Sequence, residues 1–509
     1  MEGKERLRKP SIFVIVLLFS LFMLNFGFYL KTARLAVSQG TSSDWLMLQK
    51  DCQHTGFSID SAPNSTQLKF LVNHTDNHQS SSPIIVGNKV IIAGGGSNYS
   101  LYALDSRSGK LLWNSQISFH TDATPAAYNN MVVIPSSNGY LYCFDVNNGN
   151  LIWKFRFTEG GYGNLPSPII QNGVVYQGEG TTSIAKKRGS LYAISLFDLE
   201  NETTPKLIWK HLLSSTYTSS ATYSDGKILI GYVTHDPTDE YTVCLTATEG
   251  TILWEKRIGS RYSSPTVVNG RIYFGSHETV YCLTESTGEI IWQSNIGNTD
   301  FGGSPAIADK KLYVGTLSRK GPDSPAIFVC LNISNGNLIW QYQLDLRGNE
   351  ENANSHPAIA DDKVFLSSGY RIYAFDSENG NIIWSYVPLH SFGGSSPAIS
   401  NGEVYIMDGE GYVYAFGVPE YFQLRIGSLL GNVSGADFYP VNSNAQISVN
   451  SPLTVADGIR YVFTGWTGDF VSESKTTTIA MNSSKTLFAN WKLQNYLTVD
   501  STFGNPNGE

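Results

Sequence analysis

A short unit that recurs along this chain constrains its fold more than any other feature. The most compact copy runs from Ser264 to Trp292 and contains four apolar or β-branched runs separated by turn residues. Asn269-Gly270 separates the first two runs, and this dipeptide indicates a hairpin because both turn positions need a positive φ. We predict four short antiparallel strands. A unit this small cannot bury its own faces, so it needs neighbours of its own kind.

The start of the unit recurs eight times and its closing Trp seven times. The starts are Ser82-Pro83, Thr124-Pro125, Ser167-Pro168, Ser220-Ala221, Ser264-Pro265, Ser304-Pro305, Ser355-His356-Pro357 and Ser396-Pro397. The closing residues are Trp113, Trp153, Trp209, Trp254, Trp292, Trp340 and Trp384.

The eighth unit stops at Gly417 without its fourth strand, while a solitary strand precedes the first unit. This strand runs from Leu68 to Asn73 and carries Phe70 where the other units have Trp. Pairing the two incomplete pieces would close a ring of eight complete units. Such a closed ring leaves no sheet edge exposed at its seam.

Six units share a turn in which a polar residue, a Gly and the Trp follow one another at intervals of four. The glycines are Gly109, Gly149, Gly250, Gly288, Gly336 and Gly380. We predict that the polar residue caps the turn, that Gly supplies a left-handed position, and that Trp packs at the joint between units. The unit ending at Trp209 departs from this spacing because LFDLENETTPK lengthens its turn.

The stretch ALDSRSGKLLW, from Ala103 to Trp113, resembles the tryptophan-docking repeat of PQQ-type propellers. That family includes quinoprotein alcohol dehydrogenases and the bacterial scaffold BamB. The resemblance covers roughly residues 44–418 and implies an all-β chain with an eight-bladed β-propeller over residues 69–418, closed by an N-terminal strand. It concerns the packing of blades and identifies no ligand.

The dehydrogenases of this family hold PQQ beside adjacent cysteines, stack it on a Trp and use an acidic residue with Ca²⁺. This chain has no Cys-Cys pair, and its seven repeat tryptophans are already assigned to joints. Four cysteines take the place of Ala in the repeat and are predicted to be small buried residues; they are Cys143, Cys244, Cys282 and Cys330. We therefore predict no catalytic residue, cofactor or metal site. The alternative is a quinoprotein dehydrogenase that uses PQQ and Ca²⁺ to oxidise alcohols or sugars.

The segments before each unit start are predicted to meet at one mouth of a central channel. Their aromatic and polar residues suit a carbohydrate or peptide, although the same segments also read as tight turns into the inner strands. The candidate binding residues are Asn164, Arg261, Tyr262, Phe301, Asn354, His356 and Phe392. His54, in the stretch Asp44 to Ser58, has no second ligand at metal-binding spacing, so we predict a structural docking role for that stretch.

The N-terminal region predicts export. Ser11 to Leu30 contains no charged residue and is long enough to cross a hydrocarbon core of about 30 Å. We predict a cytoplasmic tail and signal anchor over residues 1–36, with a cleaved signal peptide as the alternative, and a connector over residues 37–68. The protein would then sit in the cell membrane by a single span, with its bulk extracellular or periplasmic. Seven N-x-S/T sequons permit a glycoprotein.

A second module follows the repeats. Residues 419–493 resemble the B-repeat-like modules of bacterial and archaeal surface proteins through YVFTGWTGDF and TTTIAMNSSKTLFANWK. Residues 494–509 read as the start of a further module or a frayed end. A net charge of -8 gives no basic face for nucleic acid. We predict a binding or scaffold protein with a protein or carbohydrate partner at the cell surface.

Overall fold

The computed structural model describes the chain from residue 43 to residue 496 with several gaps. The described residues are 43–74, 81–94, 99–157, 165–180, 189–197, 204–213, 215, 217–234, 236, 239–259, 262–297, 300–317, 326–344 and 355–496. All regular structure in these ranges is β. No helix in them is long and apolar enough to span a membrane, and the predicted span at residues 11–30 lies outside them.

The repeats fold into antiparallel sheets, numbered here in chain order. Sheet 1 contains β2 (Ile84–Val86), β3 (Lys89–Gly94), β4 (Ser100–Asp105) and β5 (Leu111–Gln116). Sheet 2 contains β6 (Ala126–Tyr128), β7 (Met131–Ser136), β8 (Tyr140–Asp145) and β9 (Leu151–Arg156). Sheet 3 contains β10 (Ile169–Gln171), β11 (Val174–Glu179), β12 (Ser190–Ser195) and β13 (Lys206–Leu212). Sheet 4 contains β14 (Tyr217–Thr218), β15 (Thr222–Ser224), β16 (Lys227–Val233), β17 (Glu240–Thr246) and β18 (Ile252–Lys256).

The second half of the repeats follows the same plan. Sheet 5 contains β19 (Thr266–Val268), β20 (Arg271–Ser276), β21 (Thr279–Thr284) and β22 (Ile290–Asn295). Sheet 6 contains β23 (Asp300–Phe301), β24 (Ala306–Ala308), β25 (Lys311–Leu317), β26 (Ile327–Asn332) and β27 (Leu338–Gln343). Sheet 7 contains β28 (Ala358–Ala360), β29 (Lys363–Ser368), β30 (Arg371–Asp376) and β31 (Ile382–Tyr386). Sheet 8 contains β32 (Ala398–Ser400), β33 (Glu403–Met407), β34 (Tyr412–Phe416) and, as its outer strand, β1 (Leu68–Asn73).

The sheets are arranged as a β-propeller. Their inner strands contact one another in the circular order β2, β6, β10, β15, β19, β24, β28, β32 and again β2. The predicted pairing of the N-terminal strand with the last unit is confirmed, because β1 pairs with β34. The two ends of the repeat region are therefore joined within one sheet.

Each closing Trp faces a small residue on the neighbouring strand of its own sheet. The pairs are Ala103 with Trp113, Cys143 with Trp153, Ala193 with Trp209, Cys244 with Trp254, Cys282 with Trp292, Cys330 with Trp340 and Ala374 with Trp384. Phe70 faces Ala415 in the same register and so takes the place of Trp in sheet 8. The predicted burial of the four repeat cysteines is confirmed, and all four are free thiols.

At six joints the aromatic ring of one sheet packs on the turn glycine of the next sheet. The contacts are Phe70 on Gly109, Trp113 on Gly149, Trp209 on Gly250, Trp254 on Gly288, Trp292 on Gly336 and Trp340 on Gly380. A Cβ added at any of these glycines would lie 2.5–2.7 Å from a ring atom. The turn requires Gly for this close approach as well as for its positive φ.

The C-terminal module consists of two sheets around a core that includes the fully buried Trp466. One sheet has the order β37-β35-β42-β40-β39 and the other β36-β38-β41. The strands are β35 (Tyr421–Ser428), β36 (Val433–Ser434), β37 (Asp437–Pro440), β38 (Ser443–Val449), β39 (Leu453–Ala456), β40 (Ile459–Gly468), β41 (Thr476–Met481) and β42 (Lys485–Asn495). Strand β42 continues past the boundary predicted at residue 493.

Candidate functional site

The eight unit starts form a closed ring of hydrogen bonds around the channel. In each case the backbone N–H of one start residue donates to the side chain of the next start residue. The bonds are Ser82 to Thr124 (3.3 Å), Thr124 to Ser167 (2.9 Å), Ser167 to Ser220 (3.0 Å), Ser220 to Ser264 (3.0 Å), Ser264 to Ser304 (2.7 Å), Ser304 to His356 (2.8 Å), His356 to Ser396 (2.8 Å) and Ser396 to Ser82 (2.9 Å). At seven of the eight starts a hydroxyl is thus an acceptor between sheets. The sequence shows these hydroxyls but not their pairing, which only the closed ring creates.

His356 is the one member of this ring that is neither Ser nor Thr. Its Nδ1 accepts the N–H of Ser304, so the proton of the neutral imidazole is on Nε2. Burial lowers the pKa of His356 to about 4. The imidazole is therefore neutral at pH 7 and replaces the hydroxyl acceptor used elsewhere in the ring.

Residues 44–62, which we name the docking segment, lie against the inner strands from inside the ring. Carbonyl groups of this segment accept N–H bonds from six of the sheets. The bonds run from Ile85 to Trp45 (2.8 Å), Ala127 to Leu46 (2.8 Å), Tyr223 to Cys52 (2.8 Å), Val267 to Gln53 (3.0 Å), Ile307 to Thr55 (2.9 Å) and Ile359 to Gly56 (2.7 Å). Each donor stands three residues after the ring residue of its sheet. The segment therefore lies against the inner strands of six sheets.

Two side chains of the docking segment occupy the channel itself. Gln49 donates to the backbone carbonyl of Pro305 at 2.9 Å, beside the ring residue Ser304. His54 is fully buried and contacts Thr222, whose hydroxyl donates to a backbone carbonyl. That hydroxyl oxygen must therefore accept from Nδ1–H of His54, which leaves Nε2 as an acceptor without a partner among the described residues. Burial, with a smaller effect of His356, lowers the pKa of His54 to about 3.

The four predicted mouth residues that the structure describes do not form one surface. Tyr262 is exposed, and His356 belongs to the ring. Phe301 and Phe392 are buried, which corrects their interpretation as binding residues. Phe301 packs where Gly275 leaves room for its ring, and Phe392 packs edge-on against Tyr414 with ring centroids 5.5 Å apart. Asn164, Arg261 and Asn354 lie outside the described residues.

The tryptophans are bound to the adjacent sheet by their indole N–H groups as well as by packing. The acceptors, at 2.9–3.2 Å, are backbone carbonyls: Val146 for Trp113, Ala247 for Trp209, Glu285 for Trp254, Ile333 for Trp292, Ser377 for Trp340 and Pro63 for Trp384. Nε1 of Trp153 has no partner in the described part of the chain. Its neighbour is sheet 3, the one with the lengthened turn.

An exposed aliphatic band surrounds the propeller rim, and the sequence reasoning missed it. The residues just before each Trp are 37–53% exposed, and they are Leu112, Leu151, Ile152, Leu207, Ile208, Ile252, Leu253, Ile290, Ile291, Leu338, Ile339, Ile382 and Ile383. In sheet 8 the equivalent residue is Lys69, which is only 4% exposed because the C-terminal module covers it. The pair of aliphatic residues repeated before each Trp is the sequence pattern from which this band could have been predicted.

The residues present do not fit a PQQ site of the dehydrogenase type. No two cysteines are paired, and all five are free and buried. The seven repeat tryptophans pack at the joints, so none of them is available to stack on a quinone. No group of three or more His, Cys, Asp or Glu side chains with metal-binding geometry occurs within the described ranges. Gln49 and His54 are both buried beside the ring.

The closed circuit of sheets with tryptophan joints defines a PQQ-type β-propeller. The PQQ_2 family model, described as outer membrane protein assembly factor BamB, matches residues 72–198 and 194–419. The chain belongs to this family.

Known proteins that are similar to this chain differ in their names and functions. Tetrathionate hydrolase from Acidithiobacillus ferrooxidans is 22% identical over 374 residues, which cover 67% of this chain and 64% of that protein. Outer membrane protein assembly factor BamB from Moranella endobia is 24% identical over 200 residues, covering 37% of this chain and 46% of its own length. The chain thus spans less than two thirds of these relatives.

Solved structures show the same fold at low identity. A europium-containing methanol dehydrogenase matches with a TM-score of 0.58 and 12% identity, covering 78% of this chain and 90% of its own. BamB from Moraxella catarrhalis matches with a TM-score of 0.53 and 15% identity, covering 69% and 97% respectively. At this identity the likeness shows the fold alone, so an enzyme and an assembly factor are equally compatible with it.

The two channel histidines predict a pH dependence of stability. A histidine whose pKa is lowered on folding contributes full stability above its unfolded pKa of about 6.5, and this contribution is lost as pH falls towards the folded pKa. His356→Ser restores the hydroxyl found at the other ring positions. Between pH 7 and pH 5, we expect the free energy of unfolding of this variant to fall by about 1–2 kcal/mol less than that of the unaltered protein. Urea denaturation at both pH values measures the difference. Identical pH profiles for the two proteins would contradict the prediction.

Proposed function

We propose that this protein is an exported, membrane-anchored binding or scaffold protein without catalytic activity. Its described sheets would be the eight blades of a PQQ-like propeller that binds a protein or carbohydrate partner at the cell surface. The observation that carries the proposal is the docking segment, whose Gln49 and His54 side chains are buried beside the start ring. Binding to an outside partner is thereby directed to the exterior of the propeller.

The rim supplies a suitable exterior surface. The aliphatic band repeats at the same position in successive sheets, so a partner can meet several equivalent apolar contacts at once. Apolar contacts of this kind, when they are removed from water together, stabilise protein association. The name of the Moranella relative, an outer membrane protein assembly factor, supports a protein partner.

The charge-free segment Ser11 to Leu30 supports anchoring through an N-terminal helix. We further propose that residues 419–493 are a B-repeat-like surface module. Its motif residue Trp466 forms the centre of the module core, and its indole N–H donates to the carbonyl of Ser474 at 3.0 Å. This packing accounts for the motif in structural terms.

The competing function is oxidation of alcohols or sugars with PQQ and Ca²⁺. The test is to add PQQ and Ca²⁺ to the purified full chain, record the quinone absorbance, and assay dye-linked oxidation of ethanol and glucose. We expect neither saturable binding nor turnover. Because one relative is a tetrathionate hydrolase, tetrathionate consumption is assayed in parallel and no consumption is expected. Saturable PQQ binding with turnover, or tetrathionate hydrolysis, would overturn the proposal.

A further inference from the structure

The C-terminal module is fixed against the propeller by charged groups on both sides. Lys69 of β1 binds Glu403 of sheet 8 at 2.8 Å and Glu420, at the entrance to the module, at 2.7 Å. Lys110 of sheet 1 binds Asp437 of β37 at 2.7 Å. Lys69 is almost fully buried and Glu403 is only 14% exposed, so their ion pair is little screened by solvent, whereas Glu420 is about half exposed. These contacts hold β35 of the module beside β1 of the propeller.

A cleft of about 310 Å³ lies between these two strands. Leu71 of β1 and the aromatic residues Tyr421 and Phe438 contribute apolar surface to it, and Arg425, Lys485 and Thr486 contribute polar groups. Clefts of this size between domains are common small-molecule sites, and this volume is near the lower end of their range. It suits a compact ligand better than a polypeptide.

The charge of the cleft is positive in a protein whose net charge is -8. No carboxylate is among its lining residues, and the charge of Lys69 is already balanced by two glutamates. Nε of Arg425 donates to the amide oxygen of Gln423 at 2.8 Å, which leaves the terminal nitrogens of the guanidinium for another acceptor. Neither Arg425 nor Lys485 forms an ion pair with a residue that the structure describes. Burial lowers the pKa of neighbouring His74, and the positive charge of Arg425 lowers it further.

We propose that this cleft binds a small acidic sugar. Arg425 and Lys485 would hold its carboxylate or sulfate, because a guanidinium offers a planar pair of donors to such groups. The aromatic and aliphatic wall would contact the apolar face of the sugar ring, and the hydroxyl of Thr486 would bond a ring hydroxyl. The site lies at the junction of the two modules, and none of the exposed band residues lines it. It therefore goes beyond the proposed rim function, and its test can succeed or fail independently of that function.

Calorimetric titration of the full chain tests the proposal with matched sugars. The probes are glucuronate, N-acetylglucosamine 6-sulfate, neutral glucose and inorganic sulfate. We expect at least one acidic sugar to bind about tenfold or more tightly than glucose, as a charge-assisted hydrogen bond provides. The acidic sugar that binds identifies the carboxylate or the sulfate as the recognised group. Equal binding of glucose, or inorganic sulfate binding as tightly as the sugars, would overturn the proposal.

Two variants test whether the acidic sugar binds in this cleft. Arg425→Gln should weaken binding of the acidic sugar about tenfold or more and leave the weak binding of glucose unchanged. Arg460→Gln is the control, because Arg460 is partly exposed on the module, is not among the residues lining the cleft, and donates from Nε to Gln494 at 2.9 Å in the same manner. Unchanged glucuronate and sulfated-sugar affinities in Arg425→Gln, with circular dichroism showing a folded protein, would contradict the site. An equal loss in Arg460→Gln would contradict it as well.

Discussion

Replacing Trp292 with Ala should lower the free energy of unfolding of the propeller by about 3–5 kcal/mol, as truncation of buried aromatic residues does. The indole packs on Gly336 of the next sheet and donates to the carbonyl of Ile333 at 3.0 Å. It also contacts Tyr273 of its own sheet, with ring centroids 5.9 Å apart. Removing it opens the joint between two sheets and leaves a backbone carbonyl without its partner. Urea denaturation followed by far-ultraviolet circular dichroism measures the loss.

Two further variants separate joint packing from a general effect of mutation. Ile291→Ser changes the neighbouring exposed residue and should alter stability by no more than about 0.5 kcal/mol. Gly336→Ala introduces a methyl group 2.5 Å from the Trp292 ring and should be strongly destabilising on its own. In a double-mutant cycle its cost should shrink when Trp292 is already Ala, because the clash has gone. Simple additivity of the two losses would contradict the joint assignment.

The second large effect is expected at Gly56, in the docking segment. Its φ is +64°, and an added Cβ would lie 2.8 Å from both the Cβ of Ala306 and the backbone oxygen of Pro357. Gly56→Val should therefore cost about 2–4 kcal/mol, since backbone strain and overpacking each contribute. It should also release part of the docking segment from the channel.

Gly270→Val is the matched control for Gly56→Val. Gly270 has a similar φ of +71°, but no atom lies within 4 Å of its added Cβ. It should show the backbone strain alone, about 1–2 kcal/mol. Equal losses of the free energy of unfolding in both variants would mean that the close contact of Gly56 with the inner strands contributes nothing to the cost of Gly56→Val. Both losses are measured by urea denaturation.

The parts of the fold that repeat could be predicted from the sequence. The strand at residues 68–73, its pairing with the last unit and the burial of the repeat cysteines all follow from comparing copies of one unit. The register explains the cysteines: each stands opposite a Trp, where only a small side chain fits. A physical requirement that acts on every copy leaves a visible pattern.

The parts that occur once could not be predicted in the same way. The docking segment has no second copy, so nothing in the sequence shows that its carbonyl groups meet six different inner strands. Phe301 of sheet 6 reads as a surface aromatic until Gly275 of sheet 5 is seen to leave space for its ring. Lys69 reads as an exposed cation in an edge strand, and only the docked module explains its burial. These features depend on tertiary contacts between unlike parts of the chain.

The central claim is that the docking segment lies against the inner strands, because this position directs binding to the exterior of the propeller. Cys52 of this segment is only 5% exposed, and the other four cysteines are not exposed at all. Burial raises the pKa of the Cys52 thiol to about 12, which further suppresses its reaction. In Gly56→Val, by contrast, Cys52 should become reactive.

The most direct measurement is therefore a titration of the native protein with Ellman's reagent, using a Cys52→Ala variant to assign the signal. We expect none of the five thiols to react in the native protein and all five to react after denaturation. A rapidly reacting thiol in the native protein that disappears in Cys52→Ala would show an open channel and contradict the account.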